Sequence, residues 1–295
     1  MSFPMLKGWV RFSSAAGPDD RWMSGPVLFG IVNITEDSFS DGGRHLDPAT
    51  AIAAAHRLAA AGAAVIDLGA AASNIAAKPV APAEEIGRLE PVIAALQRDG
   101  IAISVDSFQP ETQRFALRIG VDFLNDIEGF ADPALYPELA ATHSRLVVMQ
   151  AVQERGRAQR LAVPPAAIWD RIATFFAARI AALEAAGIGR ERLILDPGMG
   201  FFLSTEAAAS LRALVLLERL KREFDLPVLV SVSRKSFLSA LTGQHEPGAL
   251  GPATLAAELY AASRGADYIR THDPGALRDG LLVVAALAAE ERAGE

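Results

Sequence analysis

The residues of this chain that could do chemistry stand at one repeated kind of place, the end of a short apolar run. Eight such runs cover 27–34, 64–68, 102–106, 123–126, 145–150, 193–196, 228–233 and 268–272. At their ends stand Asn33, Asp67, Asp106, Asn125, Gln150, Asp196, Ser233 with Lys235, and Arg270 with His272. A single Asp or Asn after a strand is commonly a helix cap or turn residue. A polar residue at every end points instead to one shared mouth. Asp106, Asn125 and Asp196 offer acceptors and an amide, the complement of a heterocycle with N–H donors along one edge, because a buried polar edge needs matched partners. Lys235, Arg270 and His272 offer positive charge for phosphate, and Arg can contact it through two nitrogens. The expected ligand is a nitrogenous ring bearing a phosphate ester.

The elements that must position these groups follow from the spacing. Ala-rich helical segments such as 48–61, 83–96, 166–186 and 251–263 alternate with the apolar runs, and glycines at 62, 100, 120, 187 and 265 mark the turns. Eight strand and helix units at this length predict an α/β fold, a (β/α)8 TIM barrel forming one domain over 1–295, with a short N-terminal hairpin extension before Pro26. In such a barrel the residues at the C-terminal strand ends converge on one face. The two densest motifs, GIVNITEDSFSDGG at 30–43 and VSVSRKSF at 230–237, each pass from an apolar run into polar loop.

Composition narrows the class further. With 51% hydrophobic and 21% charged residues, the chain can bury a large core. It has no cysteine, so thiolate chemistry is excluded and a metal must sit on oxygen or imidazole ligands. No apolar stretch approaches the ~18 residues of a membrane helix and no secretory leader is evident, so the expected location is cytoplasmic, with no membrane partner. A formal charge of -7 argues against nonspecific nucleic-acid binding.

The ordered stretches GIVNITEDSFSDGG at 30–43, SVDSF at 104–108, FLNDI at 123–127, LDPG at 195–198, SRKS at 233–236 and IRTH at 269–272 resemble the signatures of dihydropteroate synthase. The stretches SFQPETQR at 107–114, DPALYP at 132–137, LDPGMGFFLS at 195–204 and LVSVSRKSFL at 229–238 are similar to the mobile-element, sulfonamide-resistant branch of that family. The resemblance implies a magnesium-dependent enzyme, a homodimer, that condenses 6-hydroxymethyl-7,8-dihydropterin pyrophosphate with p-aminobenzoate and releases pyrophosphate. Carried over by motif, Asp106, Asn125, Asp196 and Lys235 would hold the pterin. Arg270 would flank the ring and reach the pyrophosphate, which Asn33 and His272 would also contact. Asn33 would stand beside the magnesium ion and Ser233 would receive the p-aminobenzoate carboxylate. Asp106, Asp196, Lys235 and Arg270 would carry the catalysis. Asp67 and Ser73 complete the implied binding set, together with a closing loop that bears Asp37, Ser38, Phe39 and Asp41.

Three departures from the family pattern stand out. The second loop reads AASNIA at 71–76, with Ser73 and Asn74 where Thr and Arg are usual. FFLS at 201–204 replaces the usual Gly-Lys-Asn, and Phe201 or Phe202 is positioned to narrow the p-aminobenzoate pocket against the larger substituent of a sulfonamide. Gln150 replaces a common His and cannot take a proton at neutral pH. Two alternatives remain at this stage: a pterin-binding methyltransferase domain, which needs no pyrophosphate site, and a noncatalytic pterin-binding paralogue.

Overall fold

The computed structural model describes residues 25–35, 47–72, 78–153 and 156–294. The N-terminal hairpin expectation lies outside them. Eight strands alternate with helices in chain order: β1 (Val27–Asn33), α1 (Pro48–Ala61), β2 (Val65–Gly69), α2 (Pro82–Arg98), β3 (Ala102–Asp106), α3 (Pro110–Ile119), β4 (Phe123–Asp126), α4 (Tyr136–Ala140) and β5 (Arg145–Met149). There follow α5 (Ile168–Ala185), β6 (Leu193–Asp196), α6 (Ala207–Val215), α7 (Leu217–Phe224), β7 (Leu229–Val230), α8 (Ser236–Thr242), α9 (Gly251–Ser263), β8 (Tyr268–Thr271) and α10 (Pro274–Gly294).

All strand pairs are parallel and run in the order β6-β5-β4-β3-β2-β1-β8-β7. A single bridge, Leu195 to Val228, joins the two ends and closes the (β/α)8 barrel. The closure is thin because β7 is only two residues long. The segment expected to continue that strand turns instead: the Lys235 N–H bonds to the Val232 carbonyl at 3.1 Å and Arg234 takes a left-handed φ of 57°.

Strand alternation sorts the residues. Phe29, Val65, Phe123, Val147, Ile194, Leu229 and Tyr268 form a separate cluster that fills the inside of the barrel. Phe29 meets Phe123 edge to face at 4.9 Å and Tyr268 at 5.6 Å, the arrangement aromatic quadrupoles favour. The intervening residues, among them Leu28, Ile66, Leu124, Val148, Leu195 and Ile269, belong to the outer core under the helices. Because the side-chain period is two, the next inward positions above the aromatic floor are Asp67, Asn125, Asp196, Ser231 and Arg270. Above these stand Asn33, Gly69, Asp106, Ser233 and His272. The register Asn33–Gly69 and Gly69–Asp106 puts three strand ends in one row.

The helices form for local reasons. In α1 the Asp47 side chain accepts the Thr50 N–H at 3.0 Å, Pro48 opens the first turn, and Gly62 closes the helix with φ of 117°. Its alanines 51, 54 and 55 lie on the buried face, and their small size lets the helix pack closely on the sheet.

Candidate active site

Asp106, Asn125, Asp196, Lys235 and Arg270 line one cavity at the C-terminal end of the barrel, with Ile127, Met149, Met199, Phe202 and Ser231. The open space among them is about 20 Å³, room for one water.

Arg270 organises the floor. Its Nε donates to Asp67 Oδ2 and its Nη2 to Asp106 Oδ2, each at 2.6 Å. Asp67 is completely buried and is not among the cavity-lining residues, so it holds the guanidinium from beneath while Asp106 meets it at the cavity wall. Burial pushes the Asp106 carboxyl well above the usual carboxylate range, against the pull of Arg270. Burial likewise raises Asp196 to about 6, opposed first by the Gly198 N–H at 2.8 Å and then by Lys235 and Arg270. Lys235 is pushed down to about 8, by burial and then by Arg270, while the two aspartates resist. The cavity therefore holds two acids and a base whose charges change near neutral pH.

Asn125 is buried, and its Oδ1 has no hydrogen-bond partner among the described residues. An unpaired buried carbonyl costs about 1–3 kcal/mol, so this oxygen is poised for a donor from outside the chain. Asn33 is half-buried at the end of β1. A side chain added at Gly69 would find Asn33 Oδ1 at 3.7 Å and Asp106 Cβ at 3.9 Å as its nearest neighbours, so the missing Cβ leaves a gap between those two groups.

Two expected roles are redrawn by the geometry. His272 lies among Arg234, Arg270 and Lys235, and burial first and these cations second lower its pKa well below the usual value. It is neutral at pH 7 and offers a hydrogen bond where the sequence suggested charge. The Ser233 hydroxyl, expected at a carboxylate, lies 2.9 Å from His272 Nδ1. The Phe pair also separates. Phe202 is buried in the cavity wall with Lys235 Nζ 5.2 Å from its ring centre. Phe201 is half-buried, packed against the cluster of Ile127, Met149, Ala158 and Phe202 and not among the cavity-lining residues, with the Arg160 guanidinium 5.6 Å from its ring centre. Phe39, Asp41 and Ser73, with Asp37 and Ser38, lie outside the described residues.

The turn after β6 is set by a close approach. Gly198 has φ of 72°, and a Cβ there would stand 2.3 Å from the Gln150 carbonyl oxygen. The Gln150 N–H in turn bonds to the Asp196 carbonyl at 2.8 Å, so the ends of β5 and β6 are tied directly beneath the cavity. Gln150 is buried and its Oε1 has no partner among the described residues.

The description "pterin binding enzyme" belongs to the family whose pattern matches residues 29–272, a span that contains all the strand-end residues above. Dihydropteroate synthase type-2 of Escherichia coli is 60% identical over 261 residues, covering 88% of this chain and 96% of that protein. The chain belongs to the dihydropteroate synthase family. Within that family, the type-1 enzyme of Pseudomonas aeruginosa is 53% identical over 86% of this chain and 91% of its own length. The dihydropteroate synthase of Neisseria meningitidis serogroup C is 34% identical over 90% and 94%. The chain thus groups with the numbered types, as its loop motifs suggested. Among solved structures, Xanthomonas albilineans dihydropteroate synthase with 4-aminobenzoic acid superimposes with a TM-score of 0.81 at 36% identity, covering 90% of this chain and 94% of that one. The Yersinia pestis enzyme in a sulfonamide drug complex gives 0.82 at 32% identity, covering 90% and 96%.

Sequence reasoning did not single out Ile127, Met149, Met199 and Ser231, which complete the cavity wall of this synthase. Strand alternation could have found three of them. Ile127 lies two positions past Asn125, Met149 two past the inward-facing Val147, and Ser231 two before Ser233. Met199 sits in the irregular loop after β6, where no period applies.

Proposed function

We propose that this chain joins 6-hydroxymethyl-7,8-dihydropterin pyrophosphate to p-aminobenzoate, giving 7,8-dihydropteroate and pyrophosphate for folate synthesis, in the cytoplasm. The observation that carries the reading is the cavity itself, which Asp106, Asp196 and Asn125, with its unpaired Oδ1, line together with Lys235 and Arg270. Three acceptors match the N–H edge of a pterin. Two cations beside them match its ring oxygen and its diphosphate.

The C–O bond between the pterin methylene and the diphosphate breaks first. Asp106 and Asp196, as carboxylates, stabilise the positive charge that spreads from the methylene into the ring. Arg270, held from below by Asp67, neutralises the departing diphosphate, and His272 adds a neutral hydrogen bond. The p-aminobenzoate amine then attacks the methylene carbon and loses a proton, so no nucleophile from the chain is required. Its carboxylate lies at the turn of Ser233, Arg234 and Lys235.

A magnesium ion fits this site as a partner of the diphosphate. The described residues include no cluster of three His, Asp or Glu that could cage a metal. Mg²⁺ commonly takes one or two protein oxygens with waters and substrate phosphates, and Asn33 Oδ1 faces the gap over Gly69 toward Asp106. Asn33 would hold it there, and when bound the ion supplies charge neutralisation of the diphosphate oxygens. Phe201 narrows the exit past which a sulfonamide substituent must protrude, so sulfonamides inhibit poorly. The exposed apolar residues Leu282, Val283 and Leu287 on α10, each at least 60% accessible, support a homodimer that covers this face. No helix among the described residues is long and apolar enough to cross a membrane.

Pyrophosphate release measured with both substrates tests the activity. Complementation of a strain lacking its own dihydropteroate synthase, with and without sulfonamide, tests activity and drug response together. Failure to grow without drug defeats the catalytic reading.

A further inference from the structure

Ser233 and His272 meet across the mouth in a way that fixes where the imidazole keeps its proton. Ser233 lies in the turn that follows β7 and is 5% exposed. Its Oγ lies 2.9 Å from His272 Nδ1 and also accepts the His272 main-chain N–H at 3.3 Å. A hydroxyl has a single proton. Two arrangements satisfy the short contact: Oγ–H donating to a bare Nδ1, or Nδ1–H donating to Oγ. In the second, the buried hydroxyl proton needs another acceptor, and no other acceptor hydrogen-bonds to Ser233 Oγ among the described residues. Leaving that proton unpaired costs about 1–3 kcal/mol. The first arrangement leaves nothing unpaired at either atom.

We propose that Ser233 is a positioning residue that holds His272 in the tautomer protonated at Nε2, so that the ring offers a neutral N–H donor to the diphosphate. The three cations around the ring, Arg234, Arg270 and Lys235, oppose any further positive charge on it and keep it neutral. Nε2 makes no hydrogen bond among the described residues, so its N–H is available to a ligand. A neutral donor strengthens the grip on an anion without adding a fourth charge that would repel the other three. The inference rests on the reading of the site given above only for the identity of the anion.

The test uses the full-length protein with ¹⁵N-labelled histidine, and the His272→Gln spectrum assigns the resonance by its loss. The expected signal is neutral, with the proton on Nε2 and Nδ1 bare. In Ser233→Ala the population shifts toward the Nδ1-protonated form, and binding of inorganic pyrophosphate with magnesium, measured calorimetrically, weakens about tenfold, the loss of one well-placed hydrogen bond. Ser233→Thr keeps the hydroxyl and restores both readings to within about twofold of the parent, which a merely structural role for Ser233 does not require. A proton found on Nδ1 in the parent protein, or a tautomer unchanged in Ser233→Ala, overturns the inference while leaving the synthase reaction standing. Absence of pyrophosphate release by the parent, with the Nε2 tautomer present, defeats the functional reading instead.

Discussion

Replacing Asp67 with Asn tests whether the site depends on a residue outside the cavity lining. Asp67 has no exposed surface, and its side chain's only hydrogen bond among the described residues is the 2.6 Å bond from Arg270 Nε. Breaking a buried ion pair commonly costs about 3–5 kcal/mol. Asn keeps the shape and one acceptor, so the loss here is smaller, about 2–3 kcal/mol, the worth of a hydrogen bond to a charged group. At about 2 °C per kcal/mol for a protein of this size, the melting temperature falls by about 5 °C. The guanidinium, released below, swings wholly onto Asp106, which lies 2.6 Å from Nη2, and covers the acceptor that the pterin needs. If the same energy is lost from the transition state, kcat/KM for the pterin pyrophosphate falls about 30- to 150-fold. The KM for p-aminobenzoate stays near its parent value, because that substrate binds at the turn after the seventh strand. Melting by circular dichroism and steady-state pyrophosphate release read the two effects separately. A variant with the parent's stability and kcat/KM refutes the supporting role, and an equal rise in both KM values shows that Asp67 acts on the whole mouth and not through Arg270.

The remaining expectations concern the loops and the charges. Gly198→Ala places a Cβ 2.3 Å from the Gln150 carbonyl at φ of 72°, so it destabilises the protein by more than about 2 kcal/mol and removes activity; an unshifted thermal melt contradicts the close approach. Since burial raises both Asp106 and Asp196, the latter to about 6, and lowers Lys235 to about 8, kcat/KM follows a narrow bell that falls on the acid side as either aspartate takes a proton and on the basic side near 8, and a flat profile from pH 5 to 9 rejects their shared role. The raised Asp196 keeps its proton in the folded state when the unfolded chain has lost it, so its contribution to stability is full below about pH 4 and declines up to about pH 6; Asp196→Asn removes that part of the slope in urea melts. Phe201→Gly opens the exit and lowers the sulfonamide inhibition constant several-fold, whereas Phe202→Gly removes the ring beneath Lys235 and raises the KM for the pterin substrate; unchanged inhibition constants in both variants exclude the steric account.

Much of the barrel was legible because its signals are local. The strand ends at Asn33, Asp106, Asn125 and Asp196 could be read from apolar runs that stop abruptly, and the glycine and proline punctuation of α1 and α9 gave their bounds. The same alternation that marks a strand also says which residues face inward, and it places Asp106 and Asn125 on the cavity side. The shortness of β7 was not legible, since the sequence 228–233 has the composition of a longer strand. Its early end follows from the left-handed turn at Arg234, a conformation that no apolar pattern announces.

What the sequence determined by itself is the set of chemical groups and the layer each occupies, because side-chain direction in a strand is fixed by a period of two. What only the tertiary structure decided is which groups meet. Arg270 pairs with Asp67 and Asp106 across separations of 203 and 164 residues, because closing the barrel brings the eighth strand beside the first. Ser233 and His272 meet across the seventh and eighth strands, and Phe202 lies under Lys235 by the packing of two irregular loops. The charge states of Asp196, Lys235 and His272 follow from the same contacts, since burial and neighbouring charge exist only once the chain has folded.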